Sequence, residues 1–305
     1  MGFVDKWVES LAYDFEILPS ACVRHISPRS TCEKCLTACL EDAITFSEGK
    51  LVIDNQKCTS CGKCLAACPV QAVAGILPKQ SFFQKKLIAM TNVDPPPLKE
   101  LLIYHAKGVT TIACEEKEFS QAWTDSLEEV HSVLDQLGKK PFMIEKEIVL
   151  ENSYSRRELF SLWKKESQSF VRQVTPAKWR FNHMDLDVNR YYPDYQFFDV
   201  TIAPEKCTLC KACEVTCPKT CFNLGENDFT INLQSCSGCM ICQDLCPENA
   251  VSVTRLLATA ISKSLDVYQK TCSLCKNSFQ TLHDHDEKCP VCASRKDGYL
   301  SSQTC

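Results

Sequence analysis

Three stretches of this 305-residue chain repeat one cysteine spacing. Cys58, Cys61, Cys64 and Cys68 form one run, Cys207, Cys210, Cys213 and Cys217 another, and Cys236, Cys239, Cys242 and Cys246 the third. A proline (Pro69, Pro218, Pro247) follows each fourth cysteine. The spacing C-x2-C-x2-C-x3-C-P suits thiolate ligation of an iron–sulfur cubane. Three sulfurs wrap one cluster in a tight loop, and the fourth, on a short helix, projects the other way. Disulfides fit poorly, because cysteines two residues apart in repeated runs favour wrapping a metal over forming independent bridges. Zinc accounts for an isolated C-x2-C, but these runs recur as interlocked fours.

The registers repeat on a larger scale. Cys207, Cys210 and Cys213 precede Cys236, Cys239 and Cys242 by 29 residues, and Cys32 and Cys35 precede Cys61 and Cys64 by the same 29. Cys39 precedes Cys58 by 19 residues, as Cys217 precedes Cys236. Between the runs, Ala43–Phe46 with Leu51–Asp54, and Cys221–Leu224 with Phe229–Asn232, read as hairpins. Each pair is separated by turn formers (Ser47 to Lys50, Gly225 to Asp228). Two copies of one small module are expected.

These motifs resemble the bacterial-type 2[4Fe-4S] dicluster ferredoxin family over residues 20–78 and 201–256. The resemblance implies crossed ligand sets. Cys207, Cys210, Cys213 and Cys246 would hold one cluster, and Cys236, Cys239, Cys242 and Cys217 its neighbour. Cys58, Cys61, Cys64 and Cys39 form the matching set in the first module. The remaining set departs from the pattern: Arg29 stands where the first ligand belongs, leaving Cys32, Cys35 and Cys68. Cys22 is the natural substitute. The alternative is that Cys22 is a small buried hydrophobe, leaving a three-ligand site for a [3Fe-4S] or labile cluster, or for a non-cysteine ligand. Leu40 also replaces the proline expected after Cys39.

The tail carries a different pattern. Cys272-x2-Cys275 and Cys289-x2-Cys292 are two knuckles in a zinc-ribbon layout, with a rubredoxin-like iron site as the alternative. Lys276 and Ala293 stand where the rubredoxin resemblance would place glycine. His283 and His285 are expected in a solvated loop. Three cysteines remain: Cys114, Cys221 and Cys305. Cys221, at the start of a predicted strand, reads as packing rather than ligand, and Cys305 as a mobile thiol.

The rest of the chain must hold these sites. Residues 79–200 alternate strands (Leu87–Met90, Val109–Ala113, Phe142–Val149) with helices (Pro95–Lys107, Phe119–Leu137, Arg156–Val171), predicting a small three-layer parallel α/β domain. Residues 172–200 read as a return segment. The chain contains nine glycines and no G-x-G, so neither a dinucleotide fingerprint nor a P-loop is present. In residues 1–19, Phe3, Val4, Trp7, Val8, Leu11 and Phe15 form one helical stripe. The expected architecture is α+β and multidomain: residues 1–19 an amphipathic helix, 20–78 and 201–256 ferredoxin-like modules, 79–200 an α/β spacer or docking domain, and 257–305 a zinc-ribbon tail.

Composition narrows the function. A formal net charge of -4 argues against a nucleic-acid protein. No apolar run approaches the roughly 20 residues that span a bilayer. The start of the chain carries acids where a secretory signal is apolar, so 23 cysteines point to metal ligation in the cytoplasm. No triad or open metal site suggests substrate chemistry; an enzyme acting at Cys114 is the minor alternative. The resemblance implies an electron-transfer protein with up to four [4Fe-4S] clusters and one zinc. It would serve a redox enzyme's catalytic subunit (a molybdenum-type reductase or dehydrogenase, or a hydrogenase) or another electron carrier. The alternative is an iron–sulfur accessory or redox-sensing protein for maturation or regulation of a reductase.

Overall fold

A computed structural model describes residues 14–75, 80–83, 85–90, 93–114, 119–145 and 182–294. The chain forms two compact units: Met1–Cys22 with Glu33–Tyr192, and Val23–Cys32 with Pro193–Cys305. The expected helix Arg156–Val171 and Cys305 lie outside the described residues, as does residues 1–13 of the expected N-terminal helix. Beyond them Glu16–Ile17 is a strand, β1, rather than the end of that helix.

In the first unit β2 (Ile44–Ser47) and β3 (Lys50–Ile53) pair antiparallel with Ile44 opposite Ile53. Their two-residue loop, Glu48 (φ +50) and Gly49 (φ +77), is left-handed at both positions, as a type I′ hairpin demands. Ile44 and Leu51 point into the core. β1 pairs antiparallel with β4 (Val73–Ala74), bringing both ends of the module together. Two short helices, α1 (Lys34–Thr37) and α2 (Lys63–Ala67), carry the cysteines between these hairpins.

The same unit holds the α/β domain. β5 (Phe82–Phe83), β6 (Lys86–Ala89), β7 (Thr111–Cys114) and β8 (Met143–Glu145) form one sheet in that order, parallel except at the β5 edge. α3 (Leu98–Ala106) joins β6 to β7, and α4 (Gln121–Gln136) joins β7 to β8. Ser120 caps α4 by accepting from the Trp123 amide, and the spacing of Trp123, Leu127, Val130 and Leu134 buries one stripe. Consecutive strand order with right-handed crossovers places both helices on one face, where they touch. The described helices thus form one layer on the sheet; the third expected helix lies outside the described residues. Residues 182–192, part of the expected return segment, are tied down by specific bonds. Gln71 Nε2 donates to the Leu186 carbonyl at 3.2 Å, and the Tyr192 hydroxyl donates to that of Leu102 at 2.9 Å.

Glu100, on the first turn of α3, is buried and accepts from the Tyr104 hydroxyl (2.8 Å) and Gln80 Nε2 (3.3 Å). Burial outweighs both bonds and raises its carboxyl from 4.5 to about 7. A raised acid pKa means the folded state holds its proton more tightly than the unfolded chain does. Stability is therefore lost as pH rises from about 4.5 through about 7. The full effect is on the order of 3 kcal/mol. Amide exchange of Leu101–Tyr104 should be faster at pH 8 than at pH 5 after correction for intrinsic rates, and Glu100→Gln should flatten that dependence.

In the second unit β9 (Tyr195–Ile202) pairs antiparallel with β12 (Val251–Thr259). β10 (Phe222–Leu224), β11 (Asp228–Asn232) and β13 (Ser262–Asp266) form an antiparallel sheet. α5 (Ala212–Thr216) and α6 (Ile241–Leu245) pack together between them. This module is wider than the expected 201–256: β9 starts earlier, β12 ends later, and β13 completes its sheet. The hairpin of β14 (Tyr268–Thr271) and β15 (Ser278–Thr281) follows, with Val267 and Leu282 buried in the module's core alongside Phe222, Phe229 and Val251. The segment 23–32 joins this unit. The Thr31 amide donates to the Asp244 carboxylate at 2.6 Å, and the Thr31 hydroxyl donates to the same group at 3.0 Å.

Candidate metal centres

Each complete cysteine run folds the same way. The residue before the second cysteine is left-handed (Ser60 φ +55, Leu209 φ +51, Gly238 φ +65), and so is the residue after it (Gly62 φ +73, Lys211 φ +64, Met240 φ +68). Left-handed residues alternating with ordinary ones turn successive N–H groups inward, a concavity suited to anions and to iron–sulfur clusters. A short helix, α2, α5 or α6, starts at the next residue and ends at the fourth cysteine, which is extended in all three runs. Three residues later the chain is left-handed again, at Gln71, Thr220 and Asn249. That turn aims the following amide back. Ala72 and Ala250 donate to the sulfurs of Cys68 and Cys246 at 3.1 Å, and Cys221 donates to Cys217 at 3.4 Å. Such bonds favour the thiolate.

The first, irregular run shares only part of this geometry. Asp42 (φ +48), three residues after Cys39, makes the same late turn. Glu33 has φ −126 and Thr31 is not left-handed either, so no inward concavity forms around Cys32. Cys22 is 6% exposed, its amide bonded to the Leu18 carbonyl at 3.0 Å. Cys22, Cys35 and Cys68 lie in the first unit, whereas Cys32 falls in the second, within electrostatic reach of Cys239. The expected set Cys22, Cys32, Cys35 and Cys68 is thus not gathered within one unit.

The other sulfurs crowd one another. Burial, then the neighbouring Cys61, Cys35 and Cys58, pushes the Cys64 thiol up to about 12. Burial with Cys207 and Cys210 does the same at Cys213, and burial with Cys217, Cys236 and Cys32 at Cys239, each to about 12. Cys242 is raised by burial and by Cys239, Cys236, Cys217 and Cys213. The pairs Cys35–Cys64 and Cys213–Cys242 occupy equivalent registers, so each module brings its two halves together alike.

Two observations test whether a cluster suits these loops. Cys207, Cys210, Cys213 and Cys246 line one cavity, together with Leu224, Phe229 and Val251. In the neighbouring loop the Ser237 hydroxyl is sealed from solvent without a hydrogen-bond partner among the described residues, as a donor to inorganic sulfide would be. Both fit the group.

The tail is built for something smaller. The sulfurs of Cys272, Cys275, Cys289 and Cys292 all lie within 4.8 Å of one another, and Cys275 and Cys289 are 3.9 Å apart. Four sulfurs at about 2.3 Å from a tetrahedral ion are about 3.8 Å apart. Lys276 (φ +63) makes the knuckle turn without a glycine. The Cys289 amide donates to the Cys272 sulfur at 3.4 Å. Amides of Cys275 and Cys289 lower the Cys272 thiol to about 6. His283 is half-buried, its ring Nε2 3.1 Å from the Pro204 carbonyl. His285 is exposed.

Cys114 ends β7 at 2% exposure. The orphaned Ser237 hydroxyl and the non-glycine left-handed positions escaped sequence reasoning. Only their place between paired cysteines signalled them. Among the described residues no helix is long and apolar enough to cross a membrane. No curated protein matches the chain. A 4Fe-4S dicluster domain matches residues 29–72, and a 4Fe-4S binding domain matches residues 229–252. The chain therefore contains two ferredoxin-type 4Fe-4S regions, one in each half.

Proposed function

We propose that this protein relays single electrons to or from a redox enzyme or another carrier through up to four [4Fe-4S] clusters. The observation that carries the reading is the cavity that Cys207, Cys210, Cys213 and Cys246 line together with Leu224, Phe229 and Val251. These four would hold one cluster and Cys236, Cys239, Cys242 and Cys217 the next; Cys58, Cys61, Cys64 and Cys39 would hold a third. Cys35 and Cys68, with Cys22 as a further candidate, would serve the fourth. A bound cubane supplies a one-electron couple.

The chain's own residues do the rest. Thiolates neutralise iron charge, apolar walls such as Phe229 exclude water, and the Ala72 and Ala250 amides orient the crossing cysteines. Cys61 and Cys210 are exposed whereas Cys239 is buried, so electrons enter and leave at the first two. The tail cysteines hold zinc, a structural ion that pins their hairpin. Reduced thiols in this number suit a cytoplasmic setting.

Protein purified without oxygen should contain about sixteen irons and about one zinc. Its absorbance near 400 nm should bleach with dithionite. Zinc as the sole metal, or iron that takes up no electron, contradicts the reading.

A further inference from the structure

Each loop carries a hydroxyl residue directly after its first ligand position. Thr59 follows Cys58, Thr208 follows Cys207 and Ser237 follows Cys236, and Ser30 keeps the register after Arg29. Ser30 precedes Thr59 by 29 residues and Thr208 precedes Ser237 by the same 29, so the hydroxyl repeats with the ligands. Thr208 is among the residues lining the cavity of Cys207, Cys210, Cys213 and Cys246, which sets this register position against the space a cluster would take. At Ser237 the hydroxyl is sealed from solvent, and no group among the described residues pairs with it, the neighbouring cysteine sulfurs included. The Phe198 ring covers the adjacent Gly238, and the flanking Cys236 and Cys239 are both buried.

Alanine would fill the same place without burying a polar atom, and a hydroxyl closed off from water with no acceptor is destabilising. The missing partner is therefore something the polypeptide does not itself contain. Inorganic sulfide, brought by a cluster in this loop, is a negatively charged acceptor of the right kind. Its negative charge grows when the cluster takes up one electron. A donor aimed at it thus stabilises the reduced state more than the oxidised one and raises the potential. Sealed from solvent, that bond has no water to compete with it.

We infer that the Ser237 hydroxyl donates to inorganic sulfide of the cluster on Cys236, Cys239, Cys242 and Cys217, and raises that cluster's reduction potential. The inference rests on the electron-transfer reading above and adds to it a side chain that tunes one site of the relay.

The test is a mediated potentiometric titration of the full-length, anaerobically purified protein, read by low-temperature EPR. It compares wild type with Ser237→Ala and Ser237→Thr. The alanine variant should keep all its iron. One cluster should shift to lower potential, its reduced-to-oxidised ratio at fixed poise falling by up to roughly tenfold, about 59 mV for one electron. Threonine, which stands at this place after Cys58 and Cys207, keeps the donor and should restore the wild-type value. Unchanged potentials in a fully loaded alanine variant overturn the inference, and so does a threonine variant that falls as far as alanine. Loss of iron from the alanine variant overturns it as well, since the hydroxyl would then hold the loop together rather than tune it. Wild-type protein lacking iron, by contrast, removes the electron-transfer reading itself.

Discussion

Replacing Cys246 with serine is expected to strip the cluster from the loop of Cys207, Cys210 and Cys213 while sparing its own run. The reason is geometric. Cys246 is the fourth cysteine of the run Cys236–Cys242, yet it helps wall the cavity lined by Cys207, Cys210 and Cys213. Its electrostatic influence falls on Cys207. Cys217 shows the reverse, acting on Cys239 and Cys242. Alkylation of the intact protein followed by peptide mass spectrometry reads the outcome. In Cys246→Ser, Cys207, Cys210 and Cys213 should become reactive while Cys236, Cys239 and Cys242 stay protected, with about four irons lost. Cys217→Ser should give the mirror image. Exposure of the variant's own run would mean that the ligand sets do not cross.

The second large effect is expected at Gly238. Its φ of +65 already disfavours a side chain, and the space a Cβ would take is filled by the Phe198 ring on β9. Leu209 and Ser60 hold the equivalent left-handed place in their runs, so conformation alone does not demand glycine there. The Phe198 ring does. Gly238→Val combines left-handed strain of about 1–2 kcal/mol with overpacking of about 1–3 kcal/mol. It should cost a few kcal/mol in total and selectively empty the loop of Cys236, Cys239 and Cys242. Iron content and alkylation should show that loop open and the other loops protected. Trimming the ring in Gly238→Val/Phe198→Ala should recover part of the iron.

The cysteine runs were legible because ligand spacing is a local property, written in consecutive residues. The hairpins between them were legible too, since short β-rich runs flank turn formers, and Phe229 and Ile231 alternate with polar residues. Less was readable wherever the chain relies on distant partners. β13 reads as Ser-Lys-Ser-Leu-Asp, with Leu265 the one apolar residue, so nothing local told it from a polar tail; its place is fixed by pairing with β11. The Thr31–Asp244 bonds, spanning 213 residues, likewise leave no local trace. Left-handed Leu209, Lys211 and Met240 carry no glycine to announce the conformation, which the cysteine loop imposes on ordinary side chains. In the α/β domain, alternating strands and helices do not by themselves reveal strand order, which among the described strands is consecutive.

Mössbauer spectroscopy of protein grown on ⁵⁷Fe and kept free of oxygen tests the central claim most directly. The account predicts that the bulk of the iron shows the averaged, mixed-valence signature of sulfur-bound [4Fe-4S]²⁺ clusters, and that dithionite converts it to the one-electron-reduced form. A spectrum of mononuclear iron in four thiolates, unaccompanied by cubanes, would contradict it.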